Sequence, residues 1–178
     1  MRHAARKTGQ AGFSLLELAV VAILFGILAA ALLNKLSYYQ EAAEKARAEY
    51  TISAMKSGLR HRMAELLIAG RAQEFHLLAN GNPMDWMERK PDNYAGVVTV
   101  TAAEKVAAGS WYFDADAREL VYLPHHAAHF RPDAKGRKQI RLRTVLKSNF
   151  ASEGGEGAES MRATGGVALE LVEAYFWF

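Results

Sequence analysis

Apolar residues fill nearly every position from Phe13 to Leu33, a run of about 21 residues in which Glu17 is the only ionisable side chain. As a helix this run is roughly 32 Å long, enough to cross the hydrocarbon core of a bilayer. Beyond it the pattern becomes amphipathic. Residues 34–67 contain no proline and are rich in Ala, Glu, Lys and Arg, fair to good helix formers. Leu36, Tyr39, Ala43, Ala46 and Tyr50 step by three and four along one face, while Glu41 and Lys45 are spaced for an i,i+4 pair on the other. The stripe then changes phase to Ile52, Met55, Leu59, Met63 and Leu66, so near Gly58 the helix either turns a new face to its neighbour or bends. Gly70 is a candidate stop, 71–79 a further short helical piece, and Asn80-Gly81-Asn82-Pro83 the break after it.

The second half carries strand patterns. Residues 95–101 are β-branched and bounded by turn residues. Residues 110–113 and 119–123 flank Asp114-Ala115-Asp116-Ala117-Arg118, which predicts a hairpin with a short polar loop. In 139–146, Ile140 and Leu142 alternate with Arg141 and Arg143, as in a strand with one greasy and one wet face. Val167, Leu169 and Leu171 repeat at period two in the last apolar segment, 167–178, and the Gly-, Ser- and Glu-rich stretch 148–166 before it reads as a mobile loop. The predicted class is α+β: a long N-terminal helix, transmembrane and then amphipathic, packed on a C-terminal antiparallel sheet. The predicted organisation is a leader over 1–12, a span over 13–35 and a compact domain over 36–178, with helix continuing to about 70 and sheet over about 95–178.

A carboxylate inside a membrane span is costly and by default marks function. Ahead of Glu17 stands a leader with Arg2, Arg6 and Lys7 and no acid. The basic leader, the Gly12-Phe13 junction, Glu17 four residues after Phe13 and the apolar helix behind it together resemble the prepilin-type signal of type IV pilins and of type II secretion pseudopilins. That resemblance covers about the first 35 residues. It implies that a prepilin peptidase cuts between Gly12 and Phe13, that the new amino group of Phe13 is methylated, and that the helices then pack as the core of a pilus or pseudopilus. It implies as partners the peptidase, other pilin or pseudopilin subunits and an inner-membrane assembly platform. Physical chemistry agrees with it. An ordinary secretory signal is cut after its apolar region, whereas a cut here leaves the anchor on the mature chain. Gly12 lets a protease approach the backbone closely. The basic leader stays cytoplasmic by the positive-inside bias, which puts the domain in the periplasm of a cell with two membranes. Glu17 is expected to pair with the Phe13 ammonium and set helix register during assembly; the plainer reading is an acid favoured by the helix dipole.

The chain departs from the family pattern in two places. Asn34 stands where many pilins have a proline, leaving Gly26 as the weaker flexible point, though close helix packing is the preferred reading of Gly26. No cysteine is present, so the C-terminal disulfide of many major pilins is ruled out, which favours a pseudopilin or minor subunit. The formal charge of +3 is mostly a leader effect, because losing three of the 22 basic residues leaves 19 against 19 acids. Charge is therefore poor support for nucleic-acid binding.

Other clusters offer side chains capable of chemistry. His125, His126 and His129 offer imidazoles with Asp133 close behind, but nothing fixes a four-ligand zinc geometry, and a polar loop is the reading adopted. Asp114, Asp116 and Glu119 lack the glycine and spacing of a calcium loop and suit a turn; Glu153, Glu156 and Glu159 match no motif. No metal and no cofactor is assigned. Arg131, Lys135, Arg137, Lys138, Arg141, Arg143 and Lys147 form a basic run with one adjoining aromatic, Phe130, so a solvated strand face is expected rather than a nucleic-acid site. Tyr175-Phe176-Trp177-Phe178 cannot all point to one side, so either alternate rings pack inward or the run is a subunit contact. No catalytic constellation appears, and a non-enzymatic structural subunit is the expected function. The alternative is a membrane-tethered periplasmic binding or metal-dependent module.

Overall fold

The computed structural model describes residues 14–99, 103, 105–147 and 165–178. Its elements are helix α1 (Leu15–Ile68), a 3₁₀ turn (Ala72–Glu74), helix α2 (Phe75–Leu78), a second 3₁₀ turn (Pro83–Trp86), and strands β1 (Tyr94–Val98), β2 (Ser110–Asp114), β3 (Glu119–Leu123), β4 (Ile140–Lys147) and β5 (Gly166–Leu171). The chain divides into two compact units at 39/40.

In the first unit α1 starts on a side-chain cap. Ser14 accepts the Glu17 N–H on its hydroxyl at 3.2 Å and the Leu18 N–H on its carbonyl at 3.1 Å. Ser14 is thus the N-cap and Glu17 the third helical residue, an acid placed where the helix dipole favours it. No proline interrupts the helix, and a Cβ at Gly26 would meet nothing. Among the described residues α1 is the one helix long and apolar enough to cross a membrane, and none of its apolar window is buried.

In the second unit one face of α1 packs on a five-stranded sheet. The face consists of Ala48, Met55, Leu59 and Leu66, all 3 % exposed or less, with Ile52 and Met63 beside them. This is the predicted second stripe. The first stripe is not the buried one: Leu36, Tyr39 and Tyr50 are 49, 63 and 76 % exposed, and Ala43 and Ala46 are exposed too. Periodicity locates an apolar face but does not say what covers it. Glu41 and Lys45 also depart from expectation. Glu41 is 2 % exposed and turned inward, and Lys45 reaches Glu49 at 3.9 Å and the Trp177 carbonyl at 2.6 Å.

The helix continues without a break through Gly58. There the Trp86 carbonyl sits against the helix backbone: an added Cβ would overlap its oxygen and lie 3.0 Å from its carbon. Gly58 therefore marks a close backbone approach. Gly70, at φ +69°, closes α1: its N–H bonds the Leu67 carbonyl at 3.0 Å and the Arg71 N–H bonds the Leu66 carbonyl at 2.8 Å. Asn82 caps the second 3₁₀ turn through the Met84 N–H at 3.1 Å and ties it to the Tyr94 hydroxyl at 2.9 Å.

The sheet runs β1-β2-β3-β4-β5 in chain order. The pairs β2–β3, β3–β4 and β4–β5 are antiparallel, whereas β1 is parallel to β2. The sheet is thus mostly antiparallel, as expected, with the β1–β2 pair parallel. A parallel neighbour needs a crossover connection rather than a tight hairpin. An extra residue between Tyr94 and Val97 is absorbed at Gly96, φ +94°. The inner face of the sheet is Trp111, Phe113, Leu120, Tyr122, Ile140, Leu142, Val167 and Leu169, all buried against the helix side of the core. The Asp114–Arg118 turn forms as expected, with Asp114 accepting the Asp116 and Ala117 N–H groups at 2.9 Å each.

Gly58→Ala should destabilise the protein. Alanine improves helix propensity by at most about 1 kcal/mol, while forcing the Trp86 carbonyl away costs about 1–3 kcal/mol or more. Chemical denaturation should give a lower midpoint; an unchanged or higher one would show that the Pro83–Trp86 segment moves away without cost.

Candidate functional site

Two regions carry the residues singled out from the sequence. The first is the start of α1. Gly12 and Phe13 lie outside the described residues. Glu17 is exposed on the helix surface, one turn after its Ser14 cap. Sequence reasoning passed over the Ser14-Leu15-Leu16-Glu17 spacing, which is itself a capping-box signature. From Leu15 to Leu36 the large apolar side chains are exposed on all sides of the helix, among them Leu16, Ile23, Phe25, Leu28 and Leu32. A helix apolar all round is a helix made for lipid or for other helices.

The second region is a polar clasp in the second unit. Glu41 and Glu44 project from adjacent positions on one turn of α1. Glu41 accepts the His129 backbone N–H at 2.8 Å, the His129 Nδ1 at 2.7 Å and the Trp177 indole N–H at 3.0 Å. Glu44 accepts the His125 and His126 backbone N–H groups at 2.6 and 2.7 Å, the His126 Nδ1 at 3.0 Å and the Tyr122 hydroxyl at 2.8 Å. The histidine loop is thus non-helical, as expected, but it is anchored rather than merely solvated. Burial pushes both carboxyls up; the hydrogen bonds from His129 and Trp177 to Glu41, and from His125, His126 and Tyr122 to Glu44, outweigh it and hold both below the ordinary value. The Tyr122 hydroxyl is pushed up, by burial first and then by its bond to Glu44.

The aromatic run closes the clasp. Trp177 is buried, edge-to-face on Phe130 at 5.3 Å, and Tyr175 stacks on Phe130 at 5.8 Å. Phe178 stacks on His129 at 5.1 Å with Lys45 over its ring. Phe176, half exposed, lies under the Arg131 guanidinium at 4.3 Å. Alternate packing of the rings, one of the two expected outcomes, is what occurs.

The remaining clusters resolve as structure. On the outer sheet face Glu119 accepts from Arg141 at 3.4 Å and Arg143 at 2.5 Å, and Arg141 also reaches Glu173 at 3.0 Å. Lys147 pairs with Glu170, and Arg137 lies 3.7 Å from Asp133. Four cations of the basic run thus face carboxylates across or beside the strands. Glu153, Glu156 and Glu159 lie outside the described residues. Sequence reasoning missed Glu44 and the inward turn of Glu41. The available signal was spacing: Glu41, Ala48 and Met55 stand seven apart, so Glu41 continues the buried row.

Residues 7–33 match the family model described as the prokaryotic N-terminal methylation motif, which is the prepilin-type signal of type IV pilins and pseudopilins. The motif supports a pilin-like protein processed by prepilin peptidase, and with the apolar helix it fits membrane anchoring. The long helix on a mostly antiparallel sheet is likewise pilin-like. Neither a search of the curated proteins nor one of the solved structures gave a match.

Because Glu41 and Glu44 are held below their ordinary value of 4.5, they bind protons less readily folded than unfolded. Their contribution to stability is therefore complete above about pH 4.5 and is lost as pH falls through the lowered folded values. Glu41→Gln should cost roughly 1.5–3 kcal/mol at neutral pH, the worth of hydrogen bonds to a charged group, and the gap from the parent should narrow toward pH 3. Denaturation at a series of pH values checks this; a gap that widens in acid would contradict the clasp.

Proposed function

We propose that this chain is a structural subunit, a pseudopilin or minor pilin, that assembles into a type II secretion pseudopilus or a type IV pilus through its N-terminal helix. The observation that carries the reading is the join of two things in one helix. The methylation motif at 7–33 opens α1, whose first stretch has no buried apolar residue, and the same helix then seats one face on a sheet. In this reading residues 1–12 are a cytoplasmic leader, 13–35 the inner-membrane span and 36–178 the periplasmic domain. Prepilin peptidase cuts between Gly12 and Phe13, and Phe13 is methylated.

Glu17 then has two partners in sequence. Before the cut it faces the helix start. After the cut an ammonium at Phe13 lies four residues away, and in lipid that charge and the carboxylate lower each other's cost. The pairing, within or between subunits, sets register as helices pack. The function is polymerisation and needs no catalytic group.

Intact mass of the membrane-extracted protein, with and without co-expressed peptidase, tests the processing. Loss of 1–12 with one methyl gained on Phe13 is the expected result, and an uncut chain beside active peptidase would overturn it. Glu17→Ala should be inserted and cut like the parent yet fail to enter filaments. Normal incorporation of that variant would remove Glu17 from assembly.

A further inference from the structure

We propose that His125 and His126 form an open binding site for a divalent transition-metal ion, with Glu44 as the residue that positions it. The inference is independent of the assembly role. The histidine loop leaves β3 and returns to α1, where Glu44 fixes it at three points: the N–H groups of both histidines and the Nδ1 of His126. The two backbones are therefore held before any ion arrives, which removes much of the ordering cost of binding.

The chemistry of the His126 ring follows from that bond. A carboxylate can only accept, so the neutral imidazole carries its proton on Nδ1. Its Nε2, on the far side of the ring, is left with the lone pair a metal needs. A ring whose second nitrogen donates to a carboxylate is the usual arrangement around metal-bound histidine, because it fixes the tautomer and raises ligand basicity. The side chain of His126 is 38 % exposed. Beside it, edge-on and 4.6 Å between centroids, lies the exposed ring of His125. The His125 Cβ faces Gly109, where an added Cβ would stand 3.5 Å away, so the start of β2 backs the loop.

Glu44 itself is not a ligand. Both of its oxygens are occupied, one by Tyr122 and the His125 N–H, the other by His126. Among the described residues no group of three His, Cys, Asp or Glu is arranged to hold a metal. The site is therefore a two-imidazole site completed by water. Imidazole pairs suit Cu²⁺, Ni²⁺ and Zn²⁺ and not the hard cations Mg²⁺ and Ca²⁺. The chain has no cysteine, so no thiolate competes.

The test uses the full chain carrying His3→Ala, so that the amino terminus has no imidazole to chelate Cu²⁺, in detergent and without a histidine tag, titrated with Cu²⁺ and Zn²⁺ and followed by calorimetry and, for Cu²⁺, by electron paramagnetic resonance. One ion per chain and coupling to two imidazole nitrogens are expected. His125→Ala should weaken binding at least tenfold, and because Glu44 holds the backbone of residue 125 and not its ring, this variant keeps the clasp. Glu44→Gln should weaken binding about 10–100-fold, yet show the two-nitrogen signal at saturating Cu²⁺. A double variant His61→Ala/His76→Ala should bind like the parent. Absence of stoichiometric binding, or parent-like affinity in His125→Ala, would overturn the site. Parent-like affinity in Glu44→Gln would remove Glu44 from it.

Discussion

Burying a carboxylate at the junction of a helix and a loop is the constraint around which the second unit is arranged. Glu41, 2 % exposed, is too costly to leave without donors, and the fold brings it three: a backbone N–H, an imidazole and an indole. Each comes from a segment with no regular hydrogen-bond ladder of its own. The loop after β3 and the stretch after β5 are irregular backbone, and irregular backbone needs partners from side chains. Glu41 and Glu44 supply them for the loop, and Lys45 supplies one for the stretch after β5 at the Trp177 carbonyl. Two side chains on one helical turn thus settle where the His125–His129 loop lies and where Trp177 enters the core. Trp177 in turn carries Phe130 and Tyr175 with it.

On the proposed reading helix α1 satisfies two solvents in succession. Its first stretch spreads Leu, Ile, Val and Phe around the whole circumference, with a serine cap and an acid at the dipole's positive end as its polar groups there. From Glu41 onward the apolar residues withdraw to one stripe, and the other positions carry Lys, Arg and Glu. The change is one of pattern and not of secondary structure, so the backbone hydrogen bonding continues unbroken through it. Lipid tolerates only backbone that satisfies itself, and a helix does so in either medium. The absence of proline from the span is consistent with that continuity.

Much of this was legible from the order of residues. Residues 119–123 form β3 within the bounds the sequence predicts, and the turn at Asp114 forms beside it, because an apolar run flanking a short polar Asx turn is a local signal. Gly70 as the helix stop is local as well. The parallel pairing of β1 was not legible, since a strand's alternation carries no direction. Nor was the inward turn of Glu41: its partners His129 and Trp177 lie 88 and 136 residues along the chain, and a Glu four before a Lys looks like surface until they arrive. The stripe through Tyr39 and Tyr50 is an apolar face by its spacing, and the spacing does not say whether this chain covers it. Aromatic and alanine spacing is the same whether the covering surface belongs to this chain or not.

The seven-residue rows show what the buried acid adds beyond its own hydrogen bonds. Ile52, Leu59 and Leu66 form one row, and Ala48 and Met55 another, so the apolar stripe nearly repeats after two turns. An apolar stripe alone would accept a helix slid by about 10 Å along the sheet with modest repacking. Glu41 forbids it. Slid one heptad in either direction, the carboxylate would leave its donors and enter either apolar contacts or water, while His129, Trp177 and the loop N–H groups lost their acceptor. Leaving such groups buried without partners costs about 1–3 kcal/mol each, more than a heptad of repacking could return. Gly58 acts in the same sense, since only one position of the helix lets the Trp86 carbonyl approach. The register of α1 against the sheet is therefore set by a carboxylate at one end of the contact and a missing side chain in its middle, and the apolar side chains between them supply the energy.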